Sequence, residues 1–305
     1  KYGPDGQCIE QPAEPESFCN RIKIKGYPVQ EYLGLVFAYL GDGAGRPRDP
    51  TLRGAAGEGR QIEPPPMWRF PDFEAEGQVD SRTTPVWPCN FFNRIDNDPV
   101  HVSFVHRDGP YQRGIPQIRC EESDSGIIIY DTFPDGSTSR TLHHMPNVSH
   151  FTARPRVMLE GGASVTGFRQ SLGFRIPVDD EHHKVLSVDH VRVTGDLARS
   201  YEQGLEDLGR WEGPDLEALG EAVLRGEFHS DDIEDRRNIT QVQDYVALVG
   251  QGVIADHANE HLGASDRSVI LFRQLWMREL RALHEGRPLK QWTGAGDMSV
   301  QREVD

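Results

Sequence analysis

Residues 90–109 read Asn-Phe-Phe-Asn-Arg-Ile-Asp-Asn-Asp-Pro-Val-His-Val-Ser-Phe-Val-His-Arg-Asp-Gly, and this stretch decides how the rest of the chain is interpreted. It holds Asp98, His101 and His106 in the order Asp-x2-His-x4-His. Imidazole is the commonest transition-metal ligand in proteins. Two imidazoles and one carboxylate on one side of an ion leave the opposite positions open, which suits a non-haem Fe(II) that must bind dioxygen. The stretch therefore predicts a metal-binding helix.

Helical geometry limits how this metal could be held. On an ideal helix Asp98 and His101 lie about 60° apart, whereas His101 and His106 lie roughly 140° apart. The two histidines can meet one ion only if the helix ends or widens between them. Asp98 suits the N-cap of such a helix, and Pro99 suits its first turn. The alternative is that both histidines are ordinary core residues with satisfied ring nitrogens.

The composition excludes several classes of protein. The chain has 305 residues and a net charge of −15, so it is acidic and long enough for one large domain or two ordinary ones. A nucleic-acid partner would need a basic surface, and no apolar run approaches the length of a membrane span. Four cysteines without Cys-x2-Cys spacing predict free thiols in a reducing cytoplasm: Cys8, Cys19, Cys89 and Cys120.

Strand patterns precede helix patterns along the chain, and this order predicts an α+β fold with an antiparallel sheet. Residues 1–45 have the pattern of a small β domain, including an alternating strand at 21–25. Residues 42–66 are rich in Gly, Arg and Pro, as linkers are. The predicted domains are therefore 1–45 and 46–305. Strands are expected in the second domain at 126–130, 157–159, 164–178 and 185–193, with turn signals at 134–136 and 179–181.

Three helical patterns follow Leu197, and the second surrounds Asp244. The last is expected to begin at Ser265-Asp266, a good N-cap. Its apolar stripe is predicted to be Val269, Phe272, Trp276, Leu280 and Leu283. His182-His183 lies beside a turn signal and is predicted to be exposed, whereas His143-His144 could line a pocket.

The stretch Asp98–Arg107 resembles the catalytic-domain motif of the α subunits of Rieske non-haem iron oxygenases. Lys1–Cys8 looks like the run that follows the second cluster-binding Cys-x2-His motif of that family. Three further stretches are similar to its phthalate-dioxygenase-like branch: Pro177–His183, Gln243-Asp244 and Glu260–Asp266. The matches cover the whole chain and keep the family's order.

The resemblance implies a helix-grip (Bet v 1/START-like) catalytic domain, with a curved antiparallel sheet and C-terminal helices, preceded by the C-terminal part of an all-β Rieske domain. It implies that His101, His106 and Asp244 hold a mononuclear Fe(II). Asp98 would not bind the iron: it would orient His101 and carry electrons from a neighbouring subunit's cluster. Read without the family, Asp244 could equally be a solvated helix carboxylate.

Two departures from the family pattern stand out. The chain has no Cys-x-His and no Cys-x2-His, although a Rieske [2Fe–2S] centre needs two cysteines and two histidines. We therefore expect a fragment that begins after the second cluster motif and is inactive alone, with the cluster in the full-length protein. The segment before the first histidine is also shortened, so Asp96 competes with Asp98 for the bridging role, and spacing to His101 favours Asp98.

The implied function is hydroxylation or O-demethylation of an aromatic substrate by Fe(II) and O2. Electrons would come from an NAD(P)H-dependent reductase or a ferredoxin, and the assembly would be a homotrimer or a multiple of it. The alternatives are a metal-dependent hydrolase and a non-catalytic helix-grip ligand-binding domain. Four arginines could meet a substrate carboxylate, or form structural salt bridges instead: Arg154, Arg156, Arg169 and Arg175.

Overall fold

The computed structural model describes residues 1–24, 26–40, 66–97, 114–153, 155–160, 167–209, 215–234 and 239–293. Backbone contacts divide the chain into two compact units, Lys1–Trp68 and Arg69–Asp305. The predicted boundary between residues 45 and 46 lies outside the described residues, and it stays a prediction.

The first unit contains a short helix, α1 (Glu16–Cys19), and an antiparallel hairpin of β1 (Val29–Tyr32) and β2 (Leu35–Ala38). Leu33 and Gly34 turn the hairpin with φ of 53° and 74°, because a tight two-residue turn of this hand needs positive φ at both central positions. The strand predicted at 21–25 is wrong, since Lys23 forms only an isolated bridge with Gln7.

The second unit is built on a seven-stranded antiparallel sheet, which confirms the predicted α+β class. Its spatial order is β3-β9-β8-β7-β6-β5-β4, so six consecutive strands form a meander and the first pairs with the last. The strands are β3 (Gln78–Thr83), β4 (Gln117–Glu122), β5 (Gly126–Thr132), β6 (Thr138–His144), β7 (Val148–Ala153), β8 (Arg169–Pro177) and β9 (His183–Val191).

The sequence patterns located some of these strands and missed others. The predicted turns at 134–136 and 179–181 do connect β5 to β6 and β8 to β9. Residues 157–159 are not a strand. The patterns missed β3, β4, β6 and β7, because these stretches are rich in polar residues or histidines and carry few apolar side chains.

Helices cover the sheet. They are α2 (Pro71–Glu74), α3 (Phe91–Asn97), α4 (Gly195–Gly209), α5 (Leu216–Leu224), α6 (Ile239–Val249) and α7 (Arg267–His284). Asp215 caps α5 by accepting the backbone N–H groups of Glu217 and Ala218 at 3.0 and 3.1 Å. None of the helices in the described part of the chain is long and apolar enough to cross a membrane.

Helix α7 begins where it was predicted, but its buried face is rotated from the predicted stripe. Asp266 accepts the backbone N–H of Gly263 at 2.6 Å and closes the turn that leads into the helix. Val269 and Phe272 are buried as predicted, whereas Leu280 and Leu283 are exposed. Leu275 and Ala282 take their places in the core. A stripe shifted by one residue has the same 3.6-residue period. The sequence pattern alone therefore does not determine which face of the helix is buried.

The two faces of the sheet bury different side chains. His143 pairs with Ile127 and Ser149 across the strands, and its ring lies 5.5 Å from that of Phe272 on α7. We call this side the helix face. His144 points to the opposite face because successive strand residues alternate, and its ring packs 5.5 Å from that of Phe70, just before α2.

Three buried histidines on that opposite face are held neutral: His144, His150 and His190. Burial lowers the pKa of His144 to about 3, and also lowers the pKa values of His150 and His190. The unfolded chain binds a proton at each site near pH 6.5, while the folded protein does not. The free energy of unfolding is therefore at its full value above pH 6.5, and it decreases as the pH falls from 6.5 towards the pKa values of these histidines in the folded protein.

We expect His144→Asn to flatten the acid side of the stability curve. The wild-type protein should lose about 2 kcal/mol between pH 7 and pH 5 through this one histidine, since each pH unit below the unfolded pKa costs about 1.4 kcal/mol. Denaturant unfolding at several pH values measures the slope. His229→Asn, at an exposed side chain, is the control and should keep the wild-type slope. An equal slope for wild type and His144→Asn would contradict the assignment.

Candidate metal centre

The four residues predicted for the metal centre divide into two groups. Asp98, His101 and His106 lie outside the described residues, whereas Asp244 is described. Asp244 lies on α6 and is only 7% exposed. The alternative that Asp244 is a solvated helix carboxylate is therefore wrong.

The carboxylate of Asp244 is held by helix α3. Arg94 Nη1 donates to Asp244 Oδ2 at 3.0 Å. Asn97 Nδ2 donates to Asp244 Oδ1 at 3.4 Å. Arg94 and Asn97 are three residues apart and share one face of α3. The carboxylate of Asp244 therefore lies beside Asn97, the residue that directly precedes Asp98 in the sequence.

Burial makes this contact energetically important. An isolated carboxylate pays a desolvation penalty of several kcal/mol, which an opposite charge and hydrogen bonds must offset. The side chains of Arg94 and Asp244 are 15% and 9% exposed. An ionised carboxylate has about four lone-pair sites, so it can accept these two hydrogen bonds and still bind a metal. The described carboxylate thus fits the role of a metal ligand.

An aromatic cluster supports Asp244 from behind. Trp87 packs 5.2 Å from Tyr245 and 5.9 Å from His183, ring centre to ring centre. Tyr245 donates its hydroxyl proton to Glu221 at 2.6 Å. Burial is the main cause that raises the pKa of Tyr245, and the hydrogen bond to Glu221 raises it further. Tyr245 follows Asp244 on α6, so the cluster fixes the helix that carries the carboxylate.

The predicted exposure of the His182-His183 pair is correct only for its first member. His182 is partly exposed and contacts Asp179 at 2.8 Å. His183 is 1% exposed, and its Nδ1 lies 2.8 Å from the carbonyl oxygen of Cys89. Burial raises the pKa of the Cys89 thiol to about 11, so this thiol stays protonated at neutral pH.

The structure bears on the choice between Asp96 and Asp98. Arg273 of α7 binds the carboxylate of Asp96 through Nε and Nη2, at 2.7 to 3.1 Å. Asp96 therefore points towards α7, while Arg94 and Asn97 point towards Asp244 on α6. The role of Asp98 as the carboxylate that bridges to a neighbouring subunit stays a prediction.

Among the arginines considered for a substrate carboxylate, Arg156 and Arg169 form salt bridges. Arg156 binds Asp80 at 2.5 Å, and Arg169 binds Asp189 at 2.8 Å. Arg154 lies outside the described residues. Arg175 is 4% exposed and lies on the helix face beside Gly173, where a Cβ atom would collide with the guanidinium. The absence of a side chain at Gly173 thus makes room for a buried cation.

No group of three or more His, Cys, Asp or Glu side chains within the described ranges is arranged to hold a metal ion. Among the residues that the structure describes, neither Cys8 nor Cys19 has histidine partners for a [2Fe–2S] centre, and their Sγ atoms lie 3.0 Å apart in contact with one another. Sequence reasoning also missed Arg94 and Asn97. Their spacing on the helix before Asp98 was the available signal, but only the fold reveals that both reach Asp244.

Comparison with known proteins supplies relatives. The chain is 26% identical to the 5,5'-dehydrodivanillate O-demethylase oxygenase subunit of Sphingobium sp. (strain NBRC 103272 / SYK-6), covering 93% of this chain and 60% of the relative. It is also 26% identical to the phenoxybenzoate dioxygenase subunit alpha of Ectopseudomonas oleovorans, covering 93% and 65%. The chain thus spans less than two thirds of the length of these relatives. No protein-family model matches it.

Among solved structures, the fold is similar to that of NdmB from Pseudomonas putida CBB5. The TM-score is 0.55 at 15% sequence identity, covering 94% of this chain and 70% of that one. The sequence relatives confirm the resemblance that we predicted from the motifs. The structural match shows that the fold is similar as well. In sequence the chain is similar to the oxygenase subunits of an aromatic O-demethylase and a phenoxybenzoate dioxygenase, and in fold it is similar to NdmB.

Proposed function

We propose that this chain is the catalytic part of an oxygenase component that uses Fe(II) and O2 to hydroxylate or O-demethylate an aromatic substrate. Electrons would come from a reductase or ferredoxin. The observation that carries the proposal is the buried carboxylate of Asp244, which α3 holds beside the start of the Asp-x2-His-x4-His segment. The names of the relatives support the reaction class.

In this proposal His101, His106 and Asp244 hold the iron. An Fe(II) ion bound there would supply the open coordination positions at which O2 is activated. Arg94 and Asn97 orient the Asp244 carboxylate and balance its charge. Asp98 orients His101 by accepting its outer ring N–H, because a ligand imidazole needs such a partner to fix its tautomer.

The finer features of the fold and assembly belong to the same proposal. We take the second unit as a helix-grip domain, which the open antiparallel sheet with α3 and α7 packed on its helix face supports. Residues 1–45 would be the C-terminal part of a Rieske-type domain, and the [2Fe–2S] ligands would belong to the full-length protein. The assembly would be a homotrimer or a multiple of one, as the family resemblance implies.

The substrate is proposed to be a carboxylated aromatic. The two relatives are named for dehydrodivanillate and phenoxybenzoate. In this chain Arg175 is a buried cation on the helix face, held in place because its backbone exchanges hydrogen bonds with Asn147. Arginine pairs with a carboxylate through two parallel N–H bonds, so Arg175 would select an anionic ring substituent.

Iron binding is the first test of the proposal. His101→Ala, His106→Ala and Asp244→Asn should each abolish stable iron binding while the protein stays folded, since each removes one of the three ligands. Metal analysis of reconstituted protein measures this, with Asp124→Asn, an exposed carboxylate, as the control. Full iron content in any ligand variant would remove that residue from the site. Zinc in place of iron in the wild-type protein would instead favour a hydrolase.

The role of Asp98 needs the full-length enzyme. We expect Asp98→Asn to keep most of its iron and a normal cluster spectrum, yet to lose about 10- to 100-fold in coupled turnover per bound iron. Asp96→Asn should lose far less turnover per bound iron, because Asp96 faces Arg273. Iron content, cluster reduction and product formation decide the question. The reverse pattern would move the bridging role to Asp96.

Arg175 can be tested through substrate charge. Arg175→Gln should raise KM for an aromatic carboxylate that the holoenzyme converts by about 10- to 100-fold, the size of one charge-assisted bidentate contact. The methyl ester of the same substrate should show little change, which separates charge recognition from a folding defect. Arg156→Gln, at the salt bridge with Asp80, is the control variant. Equal KM changes for acid and ester would refute the assignment.

A further inference from the structure

One arginine on α7 binds two carboxylates from different parts of the chain. Arg273 contacts Asp96, at the end of α3, through Nε and Nη2. It also contacts Glu260, in the loop between α6 and α7, through Nη1 and through Nη2 at 3.0 Å. Its side chain is 19% exposed. The planar guanidinium is suited to this use, because it presents five donors in a fixed geometry.

A histidine joins the same two carboxylates on the other side. His257 Nε2 lies 3.6 Å from Asp96 Oδ2, and His257 Nδ1 lies 3.4 Å from Glu260 Oε2. Its ring also packs edge-on against Phe92 of α3, with centroids 6.3 Å apart. The four side chains thus form a closed ring of contacts, which we call the Arg273 ring: Asp96, His257, Glu260 and Arg273.

The loop that carries Glu260 is fastened to α3 at further points. Asn93 Nδ2 donates to the carbonyl oxygens of Leu248 and Gly252 at 3.3 and 3.0 Å. Asn93 Oδ1 accepts the backbone N–H of Ala255 at 3.2 Å. The end of α6 and the start of the loop after it therefore contact α3 through Asn93. The Arg273 ring holds the same loop at Glu260.

We propose that Arg273 is a positioning residue for the metal centre. Its hold on Asp96 fixes the last turn of α3, and that turn carries Arg94 and Asn97, which orient Asp244. Its hold on Glu260 fixes the loop that leaves the helix of Asp244. The inference rests on the proposed function for its effect on iron. It also gives the Glu260–Asp266 motif a role: its first residue binds Arg273, and its last residue closes the turn that leads into α7.

The same helix offers a matched control. Arg278 also lies on α7 and forms a two-point salt bridge, with Nη1 and Nη2 3.0 and 2.9 Å from the oxygens of Glu122 on β4. This pair does not touch α3. Arg273→Gln and Arg278→Gln therefore remove equivalent ion pairs from one helix, and only the first should affect the metal centre.

The experiment uses the full-length holoenzyme and its metal-free form. In the metal-free form, hydrogen exchange of the peptide that covers residues 90–97 should be about tenfold faster in Arg273→Gln than in wild type, and unchanged in Arg278→Gln. In the iron-loaded form, the dissociation constant for Fe(II) should rise about 10- to 100-fold in Arg273→Gln, the range found for residues that orient metal ligands. Asp96→Asn should reproduce both effects, and adding it to Arg273→Gln should bring little further change.

Two outcomes would overturn the inference. One is wild-type exchange in residues 90–97 of Arg273→Gln. The other is an equal loss of iron affinity in Arg273→Gln and Arg278→Gln, which would show a general effect of weakening α7. A wild-type enzyme that binds no iron would refute the proposed function instead, and the exchange measurement would still test the hold of Arg273 on α3.

Discussion

The buried ion pair between Arg94 and Asp244 is the contact on which the candidate site depends. Each of these charges would carry an uncompensated desolvation penalty of several kcal/mol if its partner were missing. Because Arg94 lies on α3 and Asp244 on α6, the pair can form only when the two helices pack together. The Asp244 carboxylate is therefore oriented correctly only when α3 packs against α6.

Helix α3 satisfies this constraint through contacts on several sides. Ile95 packs in a core cluster with Phe272 of α7 and with Ile127 and Ile129 of the sheet. Phe92 stacks edge-on against Trp276 with centroids 5.6 Å apart. Apolar burial thus holds α3 against the sheet and α7, while Arg94 and Asn97 reach Asp244 on α6. A seven-residue helix is too short to be stable alone in water, so these tertiary contacts determine its conformation.

Features that depend on a few neighbouring residues or on the family resemblance could be predicted from the sequence. Features that depend on tertiary packing could not. The α+β class, the turns beside Gly136 and Asp180 and the start of α7 follow from patterns that act over a few residues. The rotation of α7, which buries Leu275 and exposes Leu280, depends on the shape of the sheet beneath it. The burial of His183 depends on Trp87 and Cys89, which are distant in sequence. The resemblance pointed to Asp244 as a candidate ligand, whereas its partners Arg94 and Asn97 required the fold.

The central claim is that Asp244 presents its carboxylate to an iron held by the segment that follows Asn97. Anomalous diffraction at the iron absorption edge, from crystals of the iron-loaded full-length enzyme, tests it most directly. We expect an anomalous peak within bonding distance of Asp244, with the imidazoles of His101 and His106 completing the ligand set. A peak elsewhere in the second unit, or an Asp244 carboxylate still bound only by Arg94 and Asn97 with iron present in the crystal, would contradict it.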